Sequence, residues 1–170
     1  MNAGTRAYRY VGPPELAGPV RSGGRGRPVR SARDLTEWDG APAEPFTYVV
    51  DGAGVLRLAP RRSEHVACAG GDPVLAAGEI RFTACPGREP AWEADEVSNL
   101  STGYCPDLAS WPAVAEALDR AGIGRPEGFT HAVVFRRCTA CGECNVVRDA
   151  WFVCVFCDGD LPAEWNVDVG

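Results

Sequence analysis

The chain has 170 residues, 45% of them apolar, enough for one domain and a small appendage. All 17 basic residues are arginine, which excludes a Schiff-base lysine and any phosphate loop ending in Gly-Lys-Ser/Thr. The net charge of −6 is unevenly spread. Residues 1–33 carry seven Arg and one Glu, whereas residues 34–170 carry ten Arg against 22 acids, so the bulk of the chain repels phosphate backbones.

Residues 1–44 are rich in Gly, Pro and Arg, and large apolar residues are sparse. Such a stretch buries too little surface to offset its ordering entropy and reads as a solvated, disordered tail. Leu35 and Trp38 are the residues in it suited to docking on the body. The start of the chain lacks the apolar core of a signal peptide, and no apolar run approaches 18 residues, so the expectation is a cytoplasmic protein without a membrane span.

A body is expected over 45–135. "FTYVVDGAGVLRLA" holds two apolar runs about Asp51-Gly52-Ala53-Gly54, a hairpin signal because glycine accepts positive φ in the turn. "VLAAGEIRFT" (74–83) and "ADEVSNLST" (94–102) predict two further strands. "SWPAVAEALDRAG" (110–122) predicts the main helix, capped by Ser110, with Pro112 in its first turn and Gly122 at its end. Its apolar stripe is Trp111, Val114, Ala115 and Leu118. "GFTHAVVFRRC" (128–138) predicts a last strand that leads into the cysteines. The expected fold class is α+β, a small mixed sheet with one main helix, followed by a C-terminal zinc ribbon over 136–170.

Five of the eight cysteines fall between Phe135 and Cys157. Two Cys-x2-Cys pairs, Cys138/Cys141 and Cys154/Cys157, stand 12 residues apart, the spacing of a ribbon holding one structural zinc ion. Each pair makes a knuckle that turns two sulfurs to one side, and Gly142 suits the positive φ needed after the first. "NVV" and "WFVC" are expected to pair as a hairpin across "RDA". Cys144 is the extra cysteine. "CTACGEC" shares the triple spacing of ferredoxins, but Arg148-Asp149 stand where a fourth cysteine and a proline would follow, so Cys144 reads as a free thiol. Residues 138–170 hold one basic residue, Arg148, and six acids, which argues against nucleic-acid binding through the ribbon. Trp151, Phe152, Phe156 and Trp165 are expected to pack the ribbon on the body.

In the body, "RRSEH", "AAGE" and "SNLSTGY" are polar clusters in apolar surroundings. They supply candidate catalytic residues His65, Glu79 and Tyr104, with His65 as general base and Tyr104 as donor to developing negative charge. Cys68, Cys85 and Cys105 with His65 fit no knuckle spacing and read as thiols rather than a second metal site.

The run "FRRCTACGECNVVRDAWFVCVFCDGDLPAEWN" resembles the ending of an uncharacterised family of small actinobacterial proteins, and the resemblance implies no activity. "YVVD", "SEHV", "AAGE" and "SNLSTGY" are similar in order to a domain of plant IQ-motif calmodulin-binding proteins. Where that pattern has a His-Ser pair and Ser-Gly-His-Tyr, this chain has Ser63-Glu64-His65 and Ser101-Thr102-Gly103-Tyr104, and it has no basic calmodulin-binding helix. The resemblance implies a shared body fold with a pocket near His65 and Tyr104. Two functions remain open on these grounds. One is a zinc-ribbon binding module whose partner is another protein. The other is an enzyme in which His65, Glu79 and Tyr104 line a pocket for a small molecule or nucleotide.

Overall fold

The structure is a computed structural model and describes residues 5–17, 25–38 and 44–168. The Asp51 turn forms as its glycines and carboxylate dictate. Strands β2 (Phe46–Val50) and β3 (Leu56–Ala59) pair antiparallel around it. Asp51 Oδ1 accepts the amides of Ala53 and Val55, Oδ2 takes the Arg57 guanidinium at 2.7 Å, and Gly54 sits at φ +81°. Burial pushes the Asp51 carboxyl upward, but Arg57 and the two amides overcome it and hold the group below its ordinary value.

β4 (Ala76–Ala84) pairs with the other edge of β2, and β5 (Trp92–Val97) with β4 across a bulge between Arg81 and Phe82. β1 (Arg27–Val29) adds to the free edge of β3, giving the order β1-β3-β2-β4-β5. The five strands pair antiparallel, with isolated parallel bridges at Glu93–Gly124 and Ser98–His131, and the α+β class stands. β2 is central and buried at all five positions, whereas β3 alternates between buried and half-buried.

The two faces of the sheet carry separate cores. On one, Tyr48, Val50, Leu56, Leu58, Ala76 and Ile80 meet the main helix. Among the described residues three short α-helices precede it, α1 (Pro14–Ala17), α2 (Ala32–Thr36) and α3 (His65–Cys68). The main helix is α4 (Trp111–Arg120), which buries Ala113, Val114, Ala117 and Leu118. Ala115 lies beside this stripe, half-buried. A 3-10 turn, Leu108–Ser110, precedes α4, and this moves the cap. Asp107 accepts the Leu108 amide at 2.8 Å, while Ser110 is already helical (φ −77°, ψ −13°) and donates its hydroxyl to the Asp107 carbonyl. Gly122 (φ +70°) ends the helix as expected, with Gly122 N–H bonded to Asp119 O and Ile123 N–H to Leu118 O.

On the other face, Val49 and Ala77 meet α3, Tyr8, Val74 and Tyr104. The disordered-tail reading of residues 1–44 fails where residues are described. Tyr8 forms a bridge with Val74 and is 1% exposed, β1 is a sheet strand, and Leu35 of α2 is buried. Few large residues suffice because each fills a position that the body leaves open, and the unpaired edge of β3 supplies a ladder that composition does not reveal. Leu35 and Trp38 dock as expected, Trp38 edge-on to Phe46 at 5.0 Å. The remainder of that reading, residues 1–4, 18–24 and 39–43, lies outside the described residues.

The predicted strand 128–138 shortens to β6 (Val134–Arg137), which pairs with β7 (Cys144–Val147) as a separate two-stranded sheet. Buried Asn99 ties this hairpin to the body. Its amide donates to the carbonyls of Pro106 and Val133 and its oxygen takes the Val133 N–H at 2.6 Å. The C-terminal segment then returns. Arg136 donates to the carbonyls of Pro162 and Ala163, Asn166 exchanges bonds with the Arg137 backbone, and Trp165 packs edge-on to Tyr8 at 5.2 Å. No helix among the described residues is long and apolar enough to cross a membrane.

Candidate metal centre

Two knuckles of the same design carry the four paired cysteines. In the first, Cys138 N–H donates to Glu143 O and Gly142 N–H to Cys138 O; in the second, Cys154 N–H donates to Gly159 O and Asp158 N–H to Cys154 O. The residue after each second cysteine is left-handed, Gly142 at φ +82° and Asp158 at φ +61°. Aspartate is among the few non-glycine residues that take this conformation readily, so the second knuckle reaches the same shape without glycine.

The knuckles face each other. The sulfur atoms of Cys138 and Cys157 are 3.6 Å apart, as are those of Cys141 and Cys154, and all four lie within 4.8 Å of one another. Metal–sulfur bonds of about 2.3 Å in a tetrahedron require sulfur separations of about 3.8 Å. The group therefore has the size and donor chemistry to hold a metal ion with no position left open. Cys138 and Cys154 are buried, while Cys141 and Cys157 face outward.

The protons on these sulfurs are unevenly shared. The Cys141 amide aimed at Cys138 lowers that thiol below its ordinary value. Burial pushes the Cys154 thiol up, yet the Phe156 amide, Asn145 and its neighbours bring it down to about 6. The Glu143 amide pulls Cys141 down, but burial and three facing sulfurs win and push it up to about 12. Four thiolates this close repel one another, and a divalent cation removes that repulsion by replacing the protons.

Asn145 escaped sequence reasoning. It is 3% exposed, on the inward face of β7, and bonds both knuckles. Its Nδ2 donates to Glu143 O at 3.1 Å and to Cys154 Sγ at 3.4 Å, and its Oδ1 accepts the Val155 N–H at 2.9 Å. The available signal was strand alternation, which puts Asn145 on the same side as Val147.

The expected hairpin between "NVV" and "WFVC" does not form. β7 pairs with β6 instead, because Asp149 (φ 52°) and Ala150 (φ 56°) turn the chain out of the ladder. The second knuckle closes through a bridge between Val153 and Asp160. The expectation that four aromatic residues pack the ribbon on the body holds for Trp165. Phe152 instead packs within the ribbon, against Cys138, Val147, Cys154 and Leu161 and beneath Arg136. Trp151 and Phe156 are 70% and 63% exposed. Cys144 stays outside the four-sulfur group, with its sulfur beside that of Cys105.

Two of the three body candidates hold backbone carbonyls, and the third lies apart from them. His65 Nε2 lies 2.9 Å from the Gly78 carbonyl and must donate to it. Its Nδ1 accepts the Thr102 amide, since the Thr102 hydroxyl donates to Glu64. The ring is therefore the neutral Nε2–H tautomer, and burial keeps its pKa below the ordinary histidine value. The Tyr104 hydroxyl donates to Asp72 O at 2.7 Å, and burial pushes its pKa up. Glu79, half-buried, faces a separate cavity of about 450 Å³ with Arg81, Glu96, Ser98, Leu100 and His131 among its walls; His65 and Tyr104 do not line it. Cys68 donates to Arg57 O and Cys85 to Thr83 O. Among the described residues the four-cysteine group is where potential metal ligands converge.

Comparison with protein-family models, with curated proteins and with solved structures finds no match to this chain.

Proposed function

We propose that the chain is a small zinc-stapled module that binds another protein through the tip of its ribbon. The carrying observation is the exposure of Trp151, Val155 and Phe156, at 70%, 75% and 63%, on the loops that bear the second knuckle. Large exposed apolar groups gathered on one element mark an interaction site. A four-thiolate centre leaves zinc no open position, so the ion's role is to hold that tip in shape. Glu143, Asp149, Asp158 and Asp160 are exposed on the same ribbon, so the complementary partner surface is apolar with a basic surround. A centre built from thiolates suits a reducing compartment, which supports a cytoplasmic setting for this module. The enzyme alternative would need His65 and Tyr104 to release backbone carbonyls that they already hold.

The test has two parts. Native mass spectrometry of protein purified without added metal is expected to find one zinc per chain. Affinity capture with the wild type, the Trp151→Ala/Phe156→Ala variant and the His65→Ala variant then compares the proteins retained. A partner lost with the tip variant alone supports the reading. Equal retention by the tip variant refutes it, as does a chain without zinc.

A further inference from the structure

Cys144 begins β7, and its sulfur lies 3.7 Å from that of Cys105, in the loop that follows β5. The residues are 39 apart in sequence, so no local turn accounts for the contact. They meet at the seam between body and ribbon, half-buried against Val133, Phe135 and Val167. The site is held from both sides. Trp165 Nε1–H donates to the Cys105 carbonyl at 2.8 Å. Arg137, the strand partner of Cys144, is anchored through its guanidinium on the carbonyls of Gly142 and Val167. With Cys105 donating its S–H, the Cys144 thiol is drawn down to about 7; burial opposes this and the Arg137 charge reinforces it. The same hydrogen bond, with burial, pushes the Cys105 thiol up. One sulfur is thus the nucleophile and the other the resolving thiol.

We propose that Cys105 and Cys144 form a second thiol site, distinct from the metal centre, that a peroxide oxidises to a disulfide locking the ribbon to the body. The Cys144 thiolate attacks one oxygen of hydrogen peroxide. An S–O bond forms, the O–O bond breaks, and the leaving hydroxide takes a proton to become water. The Cys105 sulfur then attacks the sulfur of the Cys144 sulfenic acid. The S–S bond forms, the S–O bond breaks, and hydroxide leaves with the Cys105 proton as a second water. Two thiols and one peroxide give one disulfide and two waters; the sulfurs lose two electrons and the peroxide gains them. The sulfurs must close from 3.7 Å to about 2.05 Å to form the bond.

The experiment treats full-length, zinc-loaded protein with one equivalent of hydrogen peroxide, then blocks remaining thiols with an alkylating reagent. Peptide mapping locates any cross-link, and a chromophoric chelator reports released zinc. The expected result is a Cys105–Cys144 disulfide with zinc retained, reversed by dithiothreitol. Cys105→Ser is expected to stop at a sulfenic acid on Cys144 that dimedone traps, and Cys144→Ser to leave Cys105 fully alkylated. Two alkylated thiols at these positions after treatment would overturn the proposal. So would zinc release before any cross-link, because the metal centre would then be the oxidised site. Over-oxidation of Cys144 in the wild type would also overturn it. The wild-type map decides the matter even if a variant fails to fold.

Discussion

Asn145→Ala tests whether the ribbon's geometry depends on a residue that binds no metal. Truncation removes three hydrogen bonds from a side chain that is 3% exposed. The Val155 N–H loses its acceptor, while the Glu143 carbonyl keeps the Cys138 N–H and the Cys154 sulfur keeps the Phe156 N–H. A buried group left unsatisfied costs about 1–3 kcal/mol, although water reaching the exposed side of the knuckle recovers part of this. The N–H···S bond is charge-assisted only when the sulfur is a metal-bound thiolate, so part of the loss falls on affinity rather than on folding. Removing a partner of a metal ligand typically costs 10–100-fold in affinity, or about 1.4–2.8 kcal/mol, and the two figures agree. The assay is competition for zinc against a chromophoric chelator at neutral pH. Affinity within a factor of two of wild type would refute the claim that Asn145 braces the centre. A variant that holds no zinc at all would show that it does more than brace.

The other predictions use different parts of the chain. Gly142→Ala should destabilise the ribbon by about 1–2 kcal/mol in chemical denaturation, since its φ is +82° even though an added Cβ would meet nothing within 4 Å; Asp158→Gly should change stability by less than about 0.5 kcal/mol, because the relieved left-handed strain of an aspartate is offset by glycine's greater freedom in the unfolded chain. A Cβ at Gly78 would overlap the Ser98 carbonyl, which also accepts the Tyr48 hydroxyl, so Gly78→Ala should lower stability by about 3 kcal/mol, read from the denaturant midpoint; no change would mean that the β4 backbone yields there. His65 has a folded pKa below its unfolded value of about 6.5, so the unfolded chain takes up a proton that the fold refuses. Its contribution is complete above about pH 6.5 and is lost as pH falls from there toward the depressed folded value. The wild type should thus lose more stability than His65→Gln between pH 7.5 and 5.5, and parallel losses would contradict the neutral-tautomer assignment.

What was legible in sequence was whatever short-range stereochemistry controls. The Asp51 turn, the helix ended by Gly122 and the two knuckles each depend on a few adjacent residues whose φ preferences or ligand spacing allow one local shape. The four metal-ligand candidates were found for that reason. Pairings between distant segments were not legible. β7 joins β6 because two left-handed residues, Asp149 and Ala150, divert the following chain, and nothing in their type demands that conformation. β1 orders because β3 offers it an edge, so an arginine- and proline-rich stretch becomes a strand by what it meets rather than by what it contains. His65 and Tyr104 looked chemically active because residue type says what a side chain can do. Only the fold, by placing Gly78 O and Asp72 O within reach, gave each its backbone partner. The same long-range packing brought Cys105 to Cys144, because a sulfur–sulfur contact across 39 residues is set by how the body and the ribbon meet.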